Sequence, residues 1–118
     1  MNVDEKGGSR VAVVQAGEVR IDSVADAMDL LADASHTQQC DKLLIPKECM
    51  DEAFFDLKTG LLGEMLQKYT NYYMRVAFVG DFSKYESKSL RDFIRESNKG
   101  KQVNFLPDTE QALVALHR

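Results

Sequence analysis

Arg75-Val76-Ala77-Phe78-Val79-Gly80-Asp81-Phe82 decides the fold class, because Val76 to Val79 is apolar at every position and is stopped by a glycine. A strand that alternates has one wet face, whereas a strand apolar throughout is covered on both, as in the middle of a parallel or mixed sheet flanked by helices. Lys42-Leu43-Leu44-Ile45 is a second such run, stopped by Pro46, whose missing N–H would interrupt a ladder. Upstream, Val11-Ala12-Val13-Val14 lies in Arg10–Gln15, Ala16-Gly17-Glu18 has turn character, and Val19-Arg20-Ile21 resumes alternation. That pattern predicts a β-hairpin. Downstream, Gln102 to Leu106 is the last strand.

Helices fill the intervals. From Ser23 onward Val24, Ala27, Met28, Leu31 and Ala34 recur at three and four residues, and Ser23 with Asp26 has capping-box spacing. Asp26, Asp29 and Asp33 on its outer face read as a solvated acidic face rather than a cation site. Cys49 to Tyr73 is mostly helical. After a loop, Ser87 leads into a helix with Leu90, Phe93, Ile94 and Ser97 on one face, closing at Asn98-Lys99-Gly100 with the glycine suited to a left-handed cap. Pro107-Asp108 opens the last helix, where Asp108 and Gln111 again have capping-box spacing and Ala112, Leu113 and Leu116 face inward. The order ββαβαβαβα predicts a single α/β domain over residues 10–118, with a mixed, mainly parallel sheet of about five strands flanked by helices. Residues 1–9, with Gly7-Gly8-Ser9, show neither periodicity and are expected as a flexible N-terminal arm.

A chain of 118 residues with 44% hydrophobic and 29% charged residues has material for one core. The net charge of -4, with lysine and arginine scattered, argues against nucleic acid as a partner. No apolar stretch approaches the roughly 20 residues that span a bilayer, and Met1 to Arg10 has no apolar leader core, so a soluble cytoplasmic protein with no membrane partner is expected. Cys40 and Cys49 lack the spacing of a zinc site and read as reduced thiols. His36 and His117 read as surface imidazoles.

The segment Phe54 to Tyr69 carries the most information about function. Read as one helix, it places Asp56, Gly60, Gly63, Glu64, Gln67 and Asn71 on one small, polar stripe. The apolar arc, including Phe55, Leu62 and Leu66, is wider than one sheet face needs. Each mid-helix glycine costs about 1 kcal/mol relative to alanine, so close approach of another backbone or a ligand is expected there. Arc and stripe together predict a homodimer.

Asp81 follows a buried strand directly, at the carboxyl end where open α/β sheets bind ligands; a turn in which it accepts backbone N–H bonds is the other reading. No phosphate-cradling loop, dinucleotide fingerprint, nucleophile elbow or zincin helix is present, and no cofactor or metal is implied. Asp56, Glu64, Asp81 and Glu96 remain for acid–base work, with nothing in the sequence to bring them together. This composition argues for binding or regulation rather than catalysis.

Three blocks carry a family resemblance: Phe54-Phe55-Asp56-Leu57-Lys58-Thr59-Gly60 with Gly63-Glu64 and Leu66-Gln67-Lys68; Val79-Gly80-Asp81-Phe82; and Ser87 to Ile94 with Glu96-Ser97-Asn98. With them the chain resembles a bacterial family known as domain of unknown function 4180 (DUF4180) over nearly all of residues 10 to 116. The element order also resembles the STAS fold of anti-sigma-factor antagonists, small cytosolic domains that bind partner kinases and are switched by phosphorylation. That resemblance implies a protein-interaction or regulatory module with Thr59 as the phosphoswitch, in Asp56-Leu57-Lys58-Thr59-Gly60, where one extra residue separates Asp56 from Thr59. Asp56, Lys58, Gly60, Gly63, Glu64, Gln67, Asp81 and Glu96 are the candidate interaction or ligand surface. The alternative is a small-molecule-binding domain or enzyme whose pocket gathers Asp81, Glu64 and Glu96.

Overall fold

The structure, a computed structural model, describes residues 1–118. Five strands form one sheet in chain order: β1 (Asn2–Lys6), β2 (Ser9–Val13), β3 (Lys42–Pro46), β4 (Arg75–Val79) and β5 (Val103–Leu106). β1 is antiparallel to β2 and every later pair is parallel. Four helices accompany them: α1 (Val24–Ala32), α2 (Leu61–Asn71), α3 (Lys88–Asn98) and α4 (Thr109–Leu116). α1 continues into a π turn, Asp33–Thr37.

The two-residue period of each strand divides the core. Ala12, Val14, Leu43, Ile45, Val76, Phe78, Val103 and Phe105 point to one side and pack with residues of α1, α2 and α3, while Val11, Val13, Leu44 and Ala77 point to the other and pack with Ala112 and Leu116 of α4. Each parallel strand is added on the same side of the last, so crossovers of constant hand deliver their helices to one face. Only α4, after the last strand, returns over the other. Ser23 and Asp108 accept the N–H bonds expected at the starts of α1 and α4, and Ser87 does the same at the start of α3. Gly100 after α3 is not left-handed, contrary to the expected cap.

Asn2–Lys6 corrects the expected flexible arm: it is the edge strand, with Lys6 opposite Ser9 across a turn in which Gly7 and Gly8 have φ of +57° and +86°. Two consecutive positive φ angles make the tight hairpin turn that matches strand twist, and glycine enters it without penalty. Val19-Arg20-Ile21 is accordingly not the second arm of a hairpin; Ile21 makes an isolated bridge to Met50. An edge strand carrying Asp4, Glu5 and Lys6 has no apolar period to betray it, since charge on an edge resists pairing with other chains.

The single helix over Phe54–Tyr69 is also corrected. Asp51 accepts the Ala53 N–H and starts a 3-10 turn over Glu52–Phe55; Asp56 accepts the Lys58 N–H and starts another over Leu57–Thr59. Gly60, at φ +76°, ends that turn, and α2 begins only at Leu61. Asp56 is therefore not on the helix. Phe55, Leu62 and Leu66 are buried within the chain itself, α2 packs along α1, and the Tyr69 hydroxyl donates to the Ala27 carbonyl at 2.7 Å. Burial holds the Tyr69 hydroxyl well above its ordinary pKa. The wide apolar arc is thus satisfied without a second molecule.

Three polar contacts close the fold. The Arg75 guanidinium donates to the carbonyls of Lys101, Leu116, Arg118 and Ala115 at 2.7 to 3.4 Å, neutralising the C-terminal end of α4. His117, expected at the surface, has a side chain only 7% exposed, between Ser9 Oγ at 2.8 Å and Asp4 Oδ2 at 2.7 Å, and so ties α4 to the opening hairpin. At the other edge the Asn98 amide accepts from the Phe105 N–H at 2.7 Å and donates to the Phe105 carbonyl at 3.0 Å, as a neighbouring strand would.

The two glycines of the predicted stripe differ in kind. A Cβ on either meets no atom within 4 Å, but Gly60 is left-handed whereas Gly63 lies in regular helix. Gly63→Ala should therefore raise unfolding stability by about 1 kcal/mol and Gly60→Ala should lower it by about 1 kcal/mol. Urea denaturation of the two variants checks the opposite signs.

Candidate functional site

The carboxyl ends of β3 and β4 lie side by side, with Pro46 opposite Val79, so the residues that follow them meet. A Cβ on Gly80 would stand 2.7 Å from Lys47 Cβ and 3.1 Å from its Cδ. The glycine in this position lets the lysine stem pass close over the chain just after β4. From there Lys47 Nζ donates to Glu52 Oε1 at 2.8 Å and lies 5.7 Å and 5.1 Å from the ring centroids of Phe55 and Tyr85. The Tyr85 hydroxyl donates to Glu52 Oε2 at 2.7 Å, and Lys84 Nζ stands 3.6 Å from Glu52 Oε1.

These contacts tie the 3-10 turn after β3 to the loop after β4. Their base is aromatic: Phe55 meets Phe78, Phe82 and Tyr85, and Phe105 stacks on Phe78 at 5.1 Å. The Lys47 bond, foremost, holds the Glu52 carboxyl below its ordinary pKa, while burial and then the bond to Glu52 push the Tyr85 hydroxyl up. A carboxylate whose pKa is depressed on folding contributes stability above its unfolded pKa. That contribution is lost as pH falls through the lowered value. With the Glu52 side chain 60% exposed, solvent screens much of it.

Asp81, the expected functional carboxylate, is exposed and turned on its own loop: Oδ1 accepts from Ser83 N at 2.9 Å and Ser83 Oγ at 2.5 Å, and the hydroxyl bond, foremost, holds the carboxyl below its ordinary pKa. It borders a cavity of about 330 Å³ with Phe82, Ile94 and Pro107. Glu96 lines a different cleft, of about 430 Å³ between α2 and α3, together with Gly63 and Gln67. Glu64 is exposed and lines neither. The structure thus brings Gly63, Gln67 and Glu96 together and keeps Asp81 apart from Glu64 and Glu96. A cavity of about 570 Å³ runs along α1 past Asp26, Asp29, Asp33 and His36.

Asp56, Lys58, Thr59 and Gly60 are all exposed, on the second 3-10 turn and the two residues that flank it. Thr59 Oγ1 lies 2.8 Å from the Ala53 carbonyl and 2.9 Å from that of Asp56, so its one proton serves either, and it accepts from Leu61 N at 3.3 Å. It sits at the start of α2 rather than inside it. Lys47 could have been found by the rule that singled out Asp81, since it follows the proline that ends a strand as Asp81 follows the glycine. Glu52 and Tyr85 are 33 residues apart and carry no local signal.

Residues 6–116 match the family described as Domain of unknown function (DUF4180). No curated protein and no solved structure matches the chain.

The contact between Lys47 and Gly80 yields a prediction. Gly80→Ala should cost about 1–3 kcal/mol, because the near end of a side chain, unlike its tip, has little room to move. Since the clash is with Cβ, Lys47→Ala should leave that cost in place and Lys47→Gly should reduce it, read as coupling in a double-mutant cycle of urea midpoints.

Proposed function

We propose that this chain, which belongs to the family Domain of unknown function (DUF4180), works as a STAS-like protein-interaction or regulatory module in the cytoplasm. The observation that carries the reading is Thr59: an exposed hydroxyl at the start of α2, directly before left-handed Gly60. A phosphoryl group there is favoured by the positive end of the helix dipole. It also removes the proton that Thr59 donates to Ala53 or Asp56, loosening the turn that bears Asp56 and Lys58. The partner in this reading is a protein that recognises the Asp56–Gly60 segment. The net charge of -4 disfavours nucleic acid, and no helix is long and apolar enough to cross a membrane. A pocket enzyme around Asp81 has less support, because Asp81, Glu64 and Glu96 are not gathered.

The test is made in the native host. Protein purified with phosphatase inhibitors, and protein incubated with host extract and a thiophosphate-donating ATP analogue, should carry the label on Thr59, and Thr59→Ala should abolish it. Thr59→Glu should weaken association with a co-purifying protein that Thr59→Ala retains, while both variants lose about 1 kcal/mol of stability with the bonds of the Thr59 hydroxyl. An unlabelled Thr59 together with identical association of the two variants would overturn the proposal.

A further inference from the structure

α4 is the only helix on its face of a five-stranded sheet. Its inner side is used by Ala112 and Leu116, and its outer side exposes Val114, one of three large apolar side chains left in solvent, at 54%. Glu110, Val114 and Arg118 border two cavities at once, one of about 340 Å³ toward β5 and one of about 480 Å³ toward β1. They form a ridge between two grooves, the relief with which helices pack on one another. Glu110 and Arg118 enter no ion pair within the chain.

We infer that this ridge is the contact surface for a second copy of the chain, packed antiparallel across a two-fold axis at Val114. The spacing carries the assignment. Glu110 lies four residues before Val114 on α4 and Arg118 four after it, just past the end of the helix at Leu116, and all three border the same two grooves. An antiparallel pair sets Glu110 of each copy against Arg118 of the other, with valine against valine between them. A parallel pair sets like charge against like. The surface is therefore self-complementary in the one arrangement that closes on itself as a two-fold dimer. α2 has no such claim, its apolar arc being covered by its own chain. Growth of the sheet through β5 is also disfavoured, because Asn98 already occupies Phe105. An eight-residue helix with its flanking grooves makes an interface at the small end of the stable range, so the dimer should be concentration-dependent and weakened by salt.

The experiment is sedimentation or light scattering of the full chain at low salt, from micromolar to several hundred micromolar. Wild-type protein should pass from monomer to dimer. Glu110→Arg and Arg118→Glu should each weaken the dimer by roughly tenfold, since both residues are exposed and each change replaces two attractions with two repulsions. An equimolar mixture of the two variants should recover the wild-type strength, because each then meets its opposite charge at both contacts. Wild-type protein that stays monomeric throughout, single variants that dimerise like wild type, or a mixture that fails to recover would each overturn the assignment.

Discussion

β3 and β4 are apolar on both sides, and no arrangement with helices on one face alone would satisfy them. Leu43, Ile45, Val76 and Phe78 need cover on one side and Leu44 and Ala77 on the other. The parallel order supplies the first automatically, through three crossover helices. The second depends on α4 turning back under the sheet, and Arg75, at the first position of β4, receives that helix by its terminal carbonyls. Central strand and covering helix are thus joined at the same residue. The hairpin benefits in turn, since the end of α4 also holds β1 through His117.

At the other end of the strands the same two-sided burial leaves the chain to be steered by short-range polar contacts. Asp51 and Asp56 start turns that a continuous helix would not contain, and Gly60 redirects the backbone before α2. Lys47, crossing Gly80, then ties those turns to the next loop through Glu52 and Tyr85. The outcome is a packed, aromatic-based crown with Thr59 on its rim.

What the sequence made legible was what depends on periodicity and on contacts between near neighbours. The unbroken apolar run of β4, the serine and aspartate caps of α1 and α4, and the order of elements from β2 onward all follow from such signals. β1 did not, because an edge strand shielded by charge lacks the apolar period by which strands are recognised. The break at Gly60 was hidden by an apolar spacing that fits a helix and two 3-10 turns equally well over so few residues. For the candidate site, Thr59 and Asp81 stood out by position, whereas Glu52 and Tyr85 meet only in three dimensions. His117 looked idle for the same reason: its partners, Asp4 and Ser9, lie over a hundred residues away.

Asn98 occupies the free edge of the sheet at β5. It is the last residue of α3, and its amide satisfies both outward groups of Phe105, taking the seat that a sixth strand would fill. An extended segment arriving at β5 from another molecule cannot simply add; it must displace an intramolecular ligand that is tethered and always at hand. Invasion of this edge is therefore a competition with the Asn98 amide. The amide is well suited to the task because it carries a donor and an acceptor together, the same pair that a peptide group presents. The width of the sheet is in that sense set by a side chain.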